Sequence, residues 1–254
     1  MKWISYGLIF KPTKVNWIKS HAWVPTVYKY RENKAKIFFA GRDSFNHSNI
    51  GSFDVNLNTP DKVLNISKQP VLKKGRLGCF DDCAAIPSQV IKFKKKFYLF
   101  YVGWTQGSSV PYMSSIGLAV SKSINGKFKR VSEGPIFGRT KDDPIFVASC
   151  FVEKKGEKFC MYYTTNTNWR RIGKKFIPKY YLKYAESKNL IDWKYKKKIM
   201  KFKSSKEIAV SRPWIIKINN IKKIFYSYRG KNYKIGYADI NNKGKLLRKD
   251  NSIK

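Results

Sequence analysis

The sequence predicts an all-β fold of the β-propeller type, on three observations. Three segments carry a carboxylate at one register: Asp81–Pro87 (DDCAAIP), Asp142–Ser149 (DDPIFVAS) and Glu207–Pro213 (EIAVSRP). Asp81, Asp143 and Glu207 each lie six residues before Pro87, Ser149 and Pro213, and a fourth copy, Ser20–Pro25 (SHAWVP), has the proline without the acid. The anchors at positions 25, 87, 149 and 213 are 62, 62 and 64 residues apart. That period is longer than most solenoid repeats and suits a four-stranded propeller blade. Finally, short apolar and aromatic runs recur in the same order after each anchor, with no helical period between them.

The repeats run over roughly 17–72, 79–137, 142–203 and 206–254, and with no linker they form one domain. In each, an apolar first strand follows the anchor: Val24–Tyr28, Ile86–Ile91, Val147–Val152 and Pro213–Ile216. A Lys/Gly/Asn turn leads into an alternating aromatic strand: Lys36–Phe39, Phe97–Tyr101, Phe159–Tyr163 and Ile224–Tyr228. β-Branched and aromatic content, length and flanking turns mark both as strands. Third strands begin near Ile50, Ile116, Tyr181 and Ile235. Outer strands are expected at Ile66–Leu72 and Val131–Phe137, and Ile4–Phe10 repeats their pattern, which predicts an N-terminal strand closing the ring. After Asp239 the chain turns polar, so the C-terminal blade reads as incomplete, with an open edge that a missing segment or a partner would complete.

Composition narrows the classes. The 254 residues suffice for a sizeable core, and 43% hydrophobic and 16% aromatic residues argue against disorder. No run approaches a membrane span, and the N-terminus is too polar for a signal peptide, so the reading is cytoplasmic. A net charge of +37 would attract nucleic acid, an anionic membrane surface or an acidic glycan. Lys, Asn and Ile together are what an AT-rich genome produces, and the lysines are spread over every repeat. Nucleic acid is disfavoured because no recognition motif accompanies the charge. Cys79, Cys83, Cys150 and Cys160 fit neither a disulfide framework nor a zinc knuckle, and His21 and His47 add no ligand set, so no metal and no cofactor is expected.

The first two strands of a blade form an antiparallel hairpin, so the start of one and the end of the other share an end of the blade. With the first strand innermost, His21, Asp81, Asp82, Asp142, Asp143 and Glu207 are expected to converge on the central opening. Arg42, Asp43, Trp104, Asn166, Trp169 and Arg229 would stand around it, with Trp104 and Trp169 in loops. Carboxylates grouped in this way suit general acid/base work on a glycosidic bond. Arg212, one residue before Pro213, could hold a phosphate or carboxylate. The tryptophans could face sugar rings or pack between blades. A lone Asp before a strand most often caps a turn, but recurrence at one register favours a shared role. No phosphate-loop, dinucleotide or nucleophile-elbow motif is present.

The segments SHAWVPT (20–26), CFDD (79–82), FYLFYVGW (97–104), IGLA (116–119), SEGP (132–135), DDPIFVAS (142–149) and YAES (184–187) resemble five-bladed propellers of the arabinanase/levansucrase/invertase-like superfamily. That superfamily includes glycoside hydrolase families 32, 43, 68 and 130. The nearest resemblance is to an uncharacterised glycosidase-like branch found with bacterial surface-polysaccharide genes. It implies a protein acting on a glycan or glycosyl donor in that metabolism. Carried over, Asp143 matches the orienting acid and Glu207 the proton donor. His21 stands near where the family's first-blade acid would be, so Asp81 or Asp43 would serve as base or nucleophile. By their register around the opening, His21, Arg42, Asp82, Trp104, Asp142, Trp169, Arg212 and Arg229 are the expected substrate-binding residues. A phosphorylase or glycosyltransferase would draw on Arg42, Arg212 and Arg229. An inactive sugar-binding propeller would bind without turnover. The branch continues into a fifth, acid-containing blade that this sequence lacks.

Overall fold

The computed structural model describes residues 4–12, 15, 17–200, 202–240 and 246–248. Among the described residues it contains sixteen strands and no helix. None is therefore long and apolar enough to cross a membrane.

The strands fall into four antiparallel meanders of four. Blade 1 holds β1 (Ser20–Arg31), β2 (Lys34–Arg42), β3 (Ser48–Asn56) and β4 (Thr59–Leu64). Blade 2 holds β5 (Ala84–Phe93), β6 (Lys96–Gln106), β7 (Tyr112–Ser121) and β8 (Lys129–Arg130). Blade 3 holds β9 (Val147–Lys155), β10 (Lys158–Ile172), β11 (Lys175–Ser187) and β12 (Lys194–Lys198). Blade 4 holds β13 (Ala209–Ile218), β14 (Ile221–Arg229), β15 (Tyr233–Ile240) and β16 (Leu246–Arg248). The first, second and third strands lie where the apolar and aromatic runs predict them.

The chain divides into two compact units, one built on blades 1 and 2, the other on blades 3 and 4. In the first, a parallel bridge, Ser48 to Ala84, joins the blades. In the second, the bridge is Tyr180 to Ala209. Phe38, Ile50, Leu72, Leu99, Tyr101 and Ala119 are central to the first unit's core. Tyr162, Leu182, Val210, Ile215 and Ile224 are central to the second's.

Several expectations need correction. The outer strands of blades 1 and 2 are Thr59–Leu64 and Lys129–Arg130, ahead of the expected Ile66–Leu72 and Val131–Phe137. Those later segments still touch the third strands: Val71 donates to the Ile50 carbonyl and Ile136 to the Ile116 carbonyl. Each contains a proline, Pro70 or Pro135, which has no N–H to give a ladder. Residues Ile4–Phe10 form no strand, and Phe10 instead packs on Phe39 and Phe53 of blade 1. Trp104 and Trp169 sit on strands rather than in loops, because the β6–β7 and β10–β11 ladders continue to Gln106–Tyr112 and Ile172–Lys175. Blade 4 has a fourth strand after the polar run, with Arg248 paired to Ala238. The run Asn241–Lys245 itself and the residues after Arg248 lie outside the described residues.

Candidate functional site

The register places the start of each first strand beside the end of the second. The pairs are Ser20 with Arg42, Ala84 with Trp104, Val147 with Thr165 and Ala209 with Arg229. Arg42, Trp104, Asn166 and Arg229 occupy one repeat position at this leading end of the blades, spaced 62, 62 and 63 residues apart.

The three repeat carboxylates are all buried: Asp81 and Asp143 are 0% exposed and Glu207 6%. Each is bonded to a cation of its own blade. Arg130 Nε and Nη2 donate to Asp81 Oδ2 at 2.8 and 2.6 Å, and the Tyr101 hydroxyl donates to the same oxygen at 3.1 Å. Lys183 Nζ donates to Asp143 Oδ1 at 2.9 Å, and the Tyr163 hydroxyl to Oδ2 at 2.8 Å. Arg248 grips Glu207 with both arms, Nη1 to Oε2 at 2.9 Å and Nη2 to Oε1 at 2.6 Å. Its Nε donates to the Tyr226 hydroxyl at 3.0 Å. Burial first, and the adjacent carboxylates second, push the Tyr101 and Tyr163 hydroxyls well above the ordinary tyrosine value.

The cation's origin follows from the residue opposite the tyrosine. Tyr101 pairs with Gly117 and Tyr226 with Gly236. In blade 2 the Tyr101 ring lies directly over Gly117, 2.3 Å from where a Cβ would stand. In both blades an arginine of the outermost strand reaches inward across the aromatic ring, with Arg130 Cζ 5.7 Å from the Tyr101 centroid and Arg248 Cζ 5.2 Å from that of Tyr226. In blade 3, Tyr163 pairs with Lys183, which supplies the cation itself. Blade 1 has Lys19 at the acid position and Phe39 at the tyrosine position. Trp17 stacks on Phe39 at 6.1 Å and covers Gly51. An aromatic plug thus fills the place that an ion pair fills in the other three blades.

The leading ends of blades 1 and 2 carry an aromatic group. Trp104 and Tyr112 stack with ring centroids 4.7 Å apart and planes at 14°. Trp23 meets Trp104 edge-on at 5.6 Å, and the Arg42 guanidinium lies 5.2 Å from the Trp23 ring. Trp23 Nε1 and Arg42 Nε are buried without a hydrogen-bond partner among the described residues. His21 is exposed at φ 61°, and among the described residues its ring bonds to its neighbour Ser20 alone, at 2.8 Å. Val24 holds φ 56°, a left-handed conformation costly for a β-branched residue.

Asp43 and Asp82, both half-buried, belong to this unit. Asp43 Oδ1 accepts from the Phe45 and His47 amides at 3.0 and 2.9 Å, organising its own loop. A polar chain connects the two acids: Asn49 Nδ2 donates to Asp43 Oδ2 at 3.5 Å, the Lys74 amide donates to Asn49 Oδ1, and Lys74 Nζ donates to the Asp82 carbonyl. Burial works to raise the Asp82 carboxyl, but bonds from Thr105 and Gly78 with the nearby Lys74 outweigh it and hold it below the usual range. A cavity of about 600 Å³ is lined by Asp43, Asn49, Lys73, Lys74 and residues around them.

Blades 3 and 4 carry a second set at their leading ends. Asn166, Tyr180, Ala209, Arg229 and Tyr233 form one cross-strand row. Trp169 packs against Phe146 and Phe176. Asp142 is exposed, and its carbonyl receives Lys183 Nζ. Arg212 holds φ 55° at the same repeat position as Val24. Burial pushes its guanidinium down to about 10, still a cation at neutral pH.

Sequence reasoning missed Arg130, Lys183 and Arg248, the cations of the repeat acids, because they lie 49, 40 and 41 residues downstream of them. A signal was available in the Gly117, Lys183 and Gly236 alternation opposite the tyrosines. The buried Lys36–Asp54 pair across β2 and β3, at 2.8 Å, was missed as well. Among the described residues no group of three or more His, Cys, Asp and Glu could hold a metal ion.

No family model matches the chain. It is 30% identical over 237 residues to the uncharacterised protein Rv1502 of Mycobacterium tuberculosis, covering 92% of this chain and 78% of that protein. A thermostable family-43 glycoside hydrolase is similar in structure, with a TM-score of 0.59 at 18% identity, over 89% of this chain and 71% of that one. The Bombyx mori GH32 β-fructofuranosidase BmSUC1 gives a TM-score of 0.64 at 15% identity, over 88% of this chain and 47% of that one. The fold is the all-β propeller type that these glycoside hydrolases share, and the chain belongs to the same family as Rv1502.

Proposed function

We propose that this protein is a carbohydrate-active propeller, glycoside hydrolase-like in fold, that holds its glycan at the leading ends of its blades. The observation carrying this reading is the half-buried Trp104–Tyr112 stack with Trp23 and Arg42 beside it. Aromatic faces bury the apolar faces of sugar rings, and the unpartnered Trp23 and Arg42 donors suit hydroxyl oxygens. A role in cell-surface polysaccharide metabolism is the setting that the sequence resemblance suggests.

The repeat acids are assigned to holding the blades rather than to the reaction. Asp143 and Glu207 are paired with buried cations and Asp81 with the half-buried Arg130, which leaves only Asp81 Oδ1 of these carboxylates without a partner among the described residues. Freeing one partner of a buried pair costs about 3–5 kcal/mol. A glycosidase needs one protonated and one ionised carboxyl flanking the bond. In blades 1 and 2 the carboxylates left at the leading end are Asp43 and Asp82. Their connection through Asn49 and Lys74, beside the cavity, favours a second reading in which they perform hydrolysis or transfer. There Asp82, held ionised, would act as base or nucleophile.

Calorimetric titration with a panel of neutral and acidic oligosaccharides, alongside an assay for reducing ends, tests both readings. Binding that Trp104→Ala weakens at least tenfold supports the first. Turnover that Asp43→Asn and Asp82→Asn abolish supports the second. No binding to any glycan would end the carbohydrate reading.

A further inference from the structure

The row across blades 3 and 4 holds one cation and no carboxylate, and two of its side chains have buried donors to spare. Arg229 Nε and Nη2 are buried and have no partner among the described residues. Asn166 Oδ1 is occupied by the Asn168 amide at 3.0 Å, while its Nδ2 is buried and unpartnered. The Arg229 carbonyl is taken by the Ile208 amide at 2.9 Å. Glu207, two residues before the row, is held by Arg248 and offers Arg229 no carboxylate.

Above this row the Tyr180 and Tyr233 hydroxyls bond to each other at 2.5 Å. They come from strands separated by Ala209 and Arg229 in the ladder, and paired residues present their side chains to one face of a sheet. The two tyrosines therefore arch over the alanine and the arginine. The Tyr233 ring lies 4.9 Å from the Arg229 guanidinium and covers it. Buried guanidinium N–H groups left idle, as at Arg229 Nε and Nη2, are expensive unless something supplies acceptors. The row itself contains no carboxylate.

We infer that this row is a subsite for an acidic substituent carried on a sugar, a carboxylate or a phosphate ester, with Arg229 as its cation, Asn166 as second donor and the tyrosine pair as a clasp. The inference rests on the carbohydrate reading and names the class of glycan within it. Arginine suits such a group because its planar fork matches two oxygens at once. The clasp opens by breaking one hydroxyl–hydroxyl bond, and the Tyr233 ring then offers its face to the sugar. Lys231 and Lys234, both exposed on the adjoining turn and strand, add attraction at longer range.

The test is calorimetry on the full chain with glucuronic acid, a hexose phosphate, glucose and inorganic phosphate. Both acidic sugars are expected to bind at least about tenfold more tightly than glucose, the margin of a charge-assisted bond. Arg229→Gln should erase that margin and Arg229→Lys keep part of it. Asn166→Asp keeps the side chain's shape, sets a charge against the ligand, and should also erase it. Glucose binding as well as the acids, or a margin that survives both variants, overturns the subsite and leaves the carbohydrate reading standing. Inorganic phosphate binding as tightly as the hexose phosphate overturns the sugar-borne part. Failure of all the sugars would overturn subsite and carbohydrate reading together.

Discussion

Arg248, on the outermost strand of blade 4, reaches back to Glu207, two residues ahead of that blade's first strand, and binds it through both guanidinium arms at 2.9 and 2.6 Å. Arg130 stands at the same ladder position in blade 2, opposite Ala119 as Arg248 is opposite Ala238, and binds Asp81. A carboxylate before the first strand is thus tied to a cation from the last or third strand, closing each of these blades on itself. The acid that recurs at one register is the residue that each of these blades pairs with a cation of its own.

Removing the charge from one partner leaves the other buried and alone. Glu207→Gln should therefore destabilise the protein by about 3–5 kcal/mol. Urea denaturation would show a lower midpoint with an unchanged slope. Tyr163→Phe removes a single hydrogen bond to Asp143 and should cost only about 1 kcal/mol.

Gly117→Ala should destabilise by about 1–3 kcal/mol, because the new methyl would stand 2.3 Å from the Tyr101 ring and displace the hydroxyl from Asp81. Gly134→Ala, where nothing lies within 4 Å, is the control and should melt within a degree or so of the parent.

Alkaline pH should unfold the protein cooperatively. Tyr101, Tyr162 and Tyr163 are raised above the ordinary 10.0, by burial first and by neighbouring carboxylates second. A folded value above the unfolded one contributes stability that is complete below pH 10 and is lost as the pH rises beyond it. Tyrosinate absorbance from these residues should appear in step with the loss of circular dichroism. Gradual ionisation of every tyrosine ahead of unfolding would contradict their burial.

The strand order was legible because each blade repeats the same apolar and aromatic runs, and Ile86–Ile91 or Phe97–Tyr101 reads as a strand on composition alone. The candidate site was legible only in part. Arg42, Trp104, Asn166 and Arg229 were found by register, since the hairpin geometry that aligns them is local. The partners of Asp81, Asp143 and Glu207 depend on contacts spanning the blade, which no local pattern encodes. The same holds for the Tyr180–Tyr233 contact, which brings together residues 53 positions apart. The outer strands were misplaced because Ile66–Leu72 and Val131–Phe137 have strand-like composition, while Thr59–Leu64 and Lys129–Arg130 are short, polar and held by their neighbours.

Val24 and Arg212 share a repeat position and a left-handed φ of 56° and 55°. Strain of this kind costs about 1–3 kcal/mol and persists where a site requires it. Val24→Gly should raise the melting temperature while weakening glycan binding, read by calorimetry. A gain in stability with binding untouched would make the strain incidental.

The most direct test titrates one glycan that the parent protein binds into Asp143→Asn and Trp104→Ala, with the stability of each variant measured alongside. The expected result is a division of labour. Asp143→Asn loses several kcal/mol of stability yet binds with the parent's affinity, while Trp104→Ala stays stable and binds at least about tenfold more weakly. If Asp143→Asn keeps its stability and loses binding or turnover, the repeat carboxylates belong to the reaction and the blade-holding role assigned to them is wrong.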